Sequence, residues 1–160
     1  VDPNYLKMVL ALPDEFFERI KPRFGNLYWV ETYQGWKEGY SRKTYAVCSI
    51  ILDTGTYYLS LQDRKNMDEV VGSWEFEYNK RDKAIHWRKW LIPSQEQLQE
   101  MIKQGIWHDK ELNDIDVLSS VIQWHTTRGT NHRLDQCSEY LFLEFLQWLN
   151  AQIWDGKEWL

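Results

Sequence analysis

The sequence predicts an α+β fold, with one antiparallel sheet of about four to six strands and helices from both ends of the chain packed on it. Three observations carry this. Apolar residues near both termini recur at helical spacing, whereas those between Leu27 and Leu91 alternate or run on in β-branched and aromatic stretches. The order is helices, strands, helices, which gives segregated rather than alternating elements. Ten tryptophans, nine tyrosines and six phenylalanines in 160 residues supply the apolar surface for a core, each buried indole covering roughly 200 Å². The length fits a single domain, 1–160.

Taken in order, Tyr5, Met8, Val9 and Leu12 mark a first amphipathic helix. Pro13 ends it and suits the first position of a second, in which Asp14 and Glu15 fall in the first turn and favour the helix dipole. Phe16, Phe17 and Ile20 form its apolar face, and Pro22 with Gly25 stops it.

From Leu27 the period changes. Leu27–Tyr33 is a strand by composition, and Gly35 and Gly39 bracket a polar turn. Thr44–Leu52 is nearly continuously apolar, hence a buried strand. Asp53-Thr54-Gly55 turns the chain into Thr56–Leu61, a charged loop follows at Asp63–Asp68, and Val71–Tyr78 alternates with Trp74, Phe76 and Tyr78 on one face. Asn79–Asp82 turns into Ala84–Leu91, where Ile85, Trp87 and Lys89 oppose His86, Arg88 and Trp90. Short turns throughout predict a meander of about five antiparallel strands.

Pro93 ends the sheet. Ser94 and Gln97 form a capping box before the stripe Leu98, Met101 and Ile102, with Gly105 as the residue just past the helix end. Ile115–Trp124 is a further helix and Arg128–Asn131 a loop. The longest helix is expected over Leu134–Ile153, apolar around most of its circumference and therefore central or contacted on two sides.

Two of these segments resemble short phage- and prophage-encoded proteins of Gram-positive bacteria. Trp90-Leu91-Ile92-Pro93-Ser94-Gln95-Glu96-Gln97-Leu98-Gln99-Glu100-Met101 is similar to their Trp-Leu-Pro-x-Gln-x-Gln-Leu-Gln-x-Met stretch, with one extra residue before the proline. Trp154-Asp155-Gly156-Lys157-Glu158-Trp159 is similar to their closing Trp-Asp/Asn-Gly-x-x-Trp. The resemblance implies a phage or prophage origin and no particular activity. Physically, the first motif is a capped helix start and the second a tight Asp-Gly turn across which two indoles can pack.

Composition narrows the function classes. A net charge of −5 argues against general nucleic-acid coating, which needs a concentrated basic footprint. Two isolated cysteines, Cys48 and Cys137, make no disulfide framework and favour a reducing, cytoplasmic setting. No apolar run of about 18 residues marks a membrane span. The start at Val1 rather than Met suggests that a few native residues precede it.

Catalytic and metal patterns are weak. The four histidines, His86, His108, His125 and His132, show neither helical-pair nor zinc-finger spacing, so no metal and no cofactor is expected. His108, Asp109, His125 and Glu139 are the residues from which an acid–base site could be assembled, and Cys137 the lone candidate nucleophile. Glu75 and Glu77, alternating with Trp74, Phe76 and Tyr78, could imitate phosphates toward a nucleic-acid-binding partner, or form an ordinary solvated face. The aromatics could form a stacking platform, though most sit at core-building positions. The exception is the Gly-flanked turn carrying Trp36, Lys37, Tyr40, Arg42 and Lys43, whose aromatic and cationic residues suit a contact surface. The leading expectation is a non-catalytic accessory protein that binds a protein partner or a second copy of itself. The alternatives are an inhibitor of a bacterial defence nuclease acting through an acidic face, a small enzyme using the His108 and His125 region, and a purely structural component.

Overall fold

The computed structural model describes residues 1–33, 41–51, 56–63, 66–77, 87–106, 113–128 and 135–160. Helices α1 (Pro3–Leu10) and α2 (Asp14–Glu18) precede five strands: β1 (Leu27–Tyr33), β2 (Ser41–Ile51), β3 (Thr56–Asp63), β4 (Asn66–Glu77) and β5 (Trp87–Ile92). Helices α3 (Gln95–Ile106), α4 (Asp114–Thr127) and α5 (Ser138–Leu149) follow. The α+β class and the antiparallel sheet are as the sequence predicts. The chain divides into two compact units, one of Pro13–Ile92 and one formed by Val1–Leu12 together with Pro93–Leu160.

The first unit opens with α2, whose N-cap is Pro13 in extended backbone, one position before the helical place expected for it. Phe16 and Ile20 are buried. Gly25, at φ +83°, takes a left-handed turn that an L side chain resists. There its N–H donates to the Cys48 carbonyl, and the Cys48 N–H donates to Asn26, starting the β1–β2 ladder.

All strand pairs are antiparallel, in the order β4-β3-β2-β1-β5. The meander holds for four strands only. β5 does not pair with β4 but returns to β1, so β4 and β5 lie at opposite edges and run in the same direction. Local alternation cannot reveal this, because it reports which face a residue takes and not which strand lies beside it. The charged loop is also shorter than Asp63–Asp68, since Asp63 ends β3 and Asn66–Asp68 begin β4. Expected strand residues Ala84–His86 lie outside the described residues.

One face of the sheet is core. Tyr28, Val30, Thr44, Ala46, Cys48, Tyr57, Leu59 and Leu91 are all buried. The rings of Tyr28 and Tyr57 stack at 6.0 Å, and the Lys89 ammonium lies 5.3 Å from the Tyr57 centroid.

In the second unit, α5 is contacted by α1, α3 and α4, the central position its apolar circumference calls for. It is shorter than the predicted Leu134–Ile153. Cys137 is the N-cap, and the C-terminal end is closed by a Schellman motif. Gln152 N–H donates to Gln147 and Ala151 N–H to Trp148, with Ala151 left-handed at φ 60°. Apolar periodicity ran past this stop because Ile153 and Trp154 continue the pattern in sequence. The α3 start matches the expected capping box: Ser94 Oγ accepts the Gln97 amide at 3.3 Å, and Gln97 Oε1 accepts the Ser94 amide at 3.0 Å. Gly105, expected just beyond α3, lies inside it and is not left-handed. Helix α4 carries its own capping box between Asn113 and Asp116; it buries Val117, Val121 and His125 and exposes Ile115, Leu118 and Ile122.

The closing motif is a small clasp. Trp154 and Trp159 form an antiparallel bridge with ring centroids 5.1 Å apart. Asp155 accepts the amides of Lys157 and Glu158, and these bonds hold its carboxyl below the usual range. Gly156, at φ +100°, accepts from the Lys7 ammonium at 2.7 Å, and Trp159 Nε1 donates to the Met8 carbonyl at 3.2 Å.

Candidate binding surface

Strand alternation sends Tyr28 and Val30 into the core, so Trp29 and Glu31 emerge on the opposite face of β1. Register then aligns them with matching residues on both neighbours. Trp29 lies opposite Tyr45 on β2 and Trp90 on β5, an aromatic row across three adjacent strands. One step along, Glu31 lies opposite Lys43 and Arg88, a charged row. On the other side Leu27 lies opposite Val47 and Ile92. The face is thus graded from apolar through aromatic to charged.

The contacts within it are specific. Trp29 and Tyr45 meet edge to face, centroids 5.0 Å apart and planes at 72°, the geometry their ring quadrupoles favour. The Trp29 indole N–H donates to Glu31 Oε1 at 3.4 Å, and the same oxygen lies 3.8 Å from the Lys43 ammonium. The Arg88 guanidinium sits 5.1 Å above the Trp90 ring. Trp29, Tyr45 and Trp90 are half-buried, whereas Arg88 and Lys43 are exposed. Rings partly open to solvent beside exposed cations are the composition of an interface anchor.

Of the residues singled out in the sequence, Trp36, Lys37 and Tyr40 lie outside the described residues. Arg42, expected in the same turn, is instead the second residue of β2, opposite Thr32. In sequence, Trp36, Lys37 and Tyr40 fall between Tyr33, which ends β1, and Ser41, which begins β2. Glu75 and Glu77 occupy alternate positions of β4 opposite Tyr58 and Thr56.

The acid–base candidates are not brought together. His86, His108, Asp109 and His132 lie outside the described residues. His125 is buried on α4 with Nε2 2.8 Å from the Leu141 carbonyl, and its neighbour Trp124 packs against it edge to face. A carbonyl only accepts, so that nitrogen carries the proton. Glu139 accepts from the Ser138 hydroxyl at the start of α5. Burial pushes the Cys137 thiol up, against one opposing hydrogen bond from Tyr140, which is the reverse of nucleophile activation.

Sequence reading passed over one titratable group. Glu144, on the buried side of α5, is pushed up to about 7 by burial, with the Arg128 cation opposing the shift. Arg128 itself lies 4.3 Å above the ring of Trp124, which packs against Phe145 and Trp148. The signal was a carboxylate between Leu143 and Phe145 in an otherwise apolar run.

Among the described residues, no group of three or more His, Cys, Asp and Glu side chains is placed to hold a metal ion. Among them, too, no helix is long and apolar enough to cross a membrane. No protein-family pattern, curated protein or solved structure matches the chain.

Proposed function

We propose that this protein is a non-catalytic, phage- or prophage-associated accessory protein that acts by binding another macromolecule through the β5-β1-β2 face. The observation that carries the reading is the aromatic row Trp90, Trp29 and Tyr45 alongside the exposed cations Arg88 and Lys43. The phage association rests on the two motif resemblances, and a cytoplasmic site on the free cysteines Cys48 and Cys137. Trp36, Lys37 and Tyr40, which fall between β1 and β2 in sequence, and Arg42 of β2 are further contact residues in this reading.

The test is affinity capture from a Gram-positive bacterial lysate with the wild type and a Lys43→Glu, Arg88→Glu double variant. Both substituted side chains are exposed, but the variant sets three carboxylates opposite one another across β5, β1 and β2, so capture is compared at a temperature at which its circular dichroism still matches the wild type. A stoichiometric partner held by the wild type and lost by the variant supports the reading; identical retention by both overturns it. Trp36→Ala should behave similarly, leaving the melting temperature almost intact while weakening association by about 2 kcal/mol or more. A nuclease inhibitor acting through Glu75 and Glu77 would instead lose its partner on charge reversal of β4.

A further inference from the structure

We infer that Asp155-Gly156 is a self-modification site, converting to isoaspartate when the closing clasp opens and thereby releasing helix α1. The sequence holds one Asp-Gly pair and no Asn-Gly pair. Glycine has no side chain to shield its amide nitrogen, and nothing lies within 4 Å of the place a Gly156 Cβ would take. Both residues are exposed, so water reaches them.

The reaction needs no co-reactant but water. The Gly156 nitrogen attacks Asp155 Cγ: a C–N bond forms, a carboxyl C–O bond breaks, and the amide proton leaves with that oxygen as water. A second water then opens the five-membered succinimide. Cleavage of its C–N bond at Cγ restores aspartate. Cleavage at the main-chain carbonyl gives isoaspartate, in which the chain runs through Cβ and Cγ. Nothing is oxidised or reduced, and mass and charge are unchanged.

The shut clasp opposes the first step. Asp155 Oδ1 accepts the Lys157 amide at 2.7 Å and the Glu158 amide at 2.8 Å. Both bonds favour the carboxylate, which is a far poorer electrophile than the acid. The imide has no anion to accept them, so ring closure forfeits both. Around them the Asp155 N–H donates to the Glu158 carbonyl, and Ile153 and Leu160 exchange N–H to carbonyl bonds of 3.0 and 2.9 Å, which fix the turn.

Isoaspartate fits none of this. It inserts a methylene into the main chain of the Asp155–Glu158 turn and leaves its carboxylate on Cα, one bond short of the two amides. The antiparallel bridge between Trp154 and Trp159 then loses its register. With it go the bonds from Trp159 to the Met8 carbonyl and from Lys7 to the Gly156 carbonyl, which tie the clasp to α1.

The test incubates the full chain at mildly acidic pH, folded and in urea, and follows isoaspartate at position 155 by peptide mapping with electron-transfer fragmentation. Folded wild type should convert at least about tenfold more slowly than the unfolded chain, since only the open fraction reacts. Trp159→Phe should speed conversion of the folded protein about fivefold, the rise in open population for one lost hydrogen bond. Ser94→Ala, which weakens the start of α3 and not the clasp, should leave the rate as it was. The converted protein, separated by chromatography, should exchange its α1 amides faster and its α3 amides as before. Equal rates in folded and unfolded chain, no isoaspartate in urea, equal acceleration by both variants, or unchanged α1 exchange each overturns the inference.

Discussion

The indole N–H of Trp159 donates to the carbonyl of Met8, 3.2 Å away and 151 positions earlier in the chain. This carbonyl also accepts from the Ala11 amide at the end of α1, so the closing clasp and the first helix share one acceptor. Trp159→Phe keeps most of the ring packing against Trp154 and removes the donor. Its cost should be about 1 kcal/mol, the net value of one such bond, read as a lower urea midpoint with unchanged slope.

Ala151 offers the opposite sign. It holds the left-handed position of the Schellman motif at φ 60°, where glycine carries no Cβ penalty. Ala151→Gly should therefore raise stability by about 1 kcal/mol, since the residue is exposed and no packing is lost. An unchanged or lower midpoint would contradict the strain.

Ser94→Ala removes the hydroxyl that accepts the Gln97 amide, leaving one end of the capping box. The expected loss is about 1 kcal/mol. A stronger check comes from hydrogen exchange, which should rise at Gln97 and its neighbours in the first turn of α3 and remain as it was in α5.

Glu144 sets a pH dependence whose sign is fixed by its direction. Its folded pKa, about 7, lies above the ordinary 4.5, so the native state holds the proton more tightly than the unfolded chain. Its stabilising effect is complete below about 4.5 and is lost as pH rises toward and through 7. Arg128 opposes the loss by favouring the anion. Glu144→Gln should be close to neutral at pH 4 and stabilising at pH 8. Allowing for partial screening, the gain is on the order of 1–2 kcal/mol, measured by denaturation at both values.

Much of the fold was legible because its signals are local. The capping box at Ser94, the change of period at Leu27 and the Asp-Gly turn near the end each involve residues a few positions apart. The candidate face was not legible, for a physical reason. Trp29 with Glu31, Tyr45 with Lys43, and Trp90 with Arg88 repeat one aromatic–charge spacing in three strands, and that repetition was the available signal. Uniting them required knowing that β5 returns to β1, a nonlocal pairing that alternation does not encode. Arg42 was assigned to a turn because cations and glycines cluster there, whereas the β2 ladder extends to Ser41. Glu144 was hidden by the reverse effect, a single polar letter within an apolar stretch.

The discontinuous unit has a consequence for how the chain acquires its structure during synthesis. Everything from Pro13 to Ile92 is synthesised before any residue of α3, α4 or α5, so that unit can begin to form while Val1–Leu12 still lacks its α5 neighbour. Through that interval Tyr5, Met8 and Val9, all buried in the finished protein, lack their cover from α5. Docking of α1 onto α5 then closes one of the longest loops the sequence allows, a step that raises contact order and slows folding far more than it lowers stability. Helix α1 is thus made before its partners and fixed after them, and Trp159 supplies one of the hydrogen bonds that fasten it.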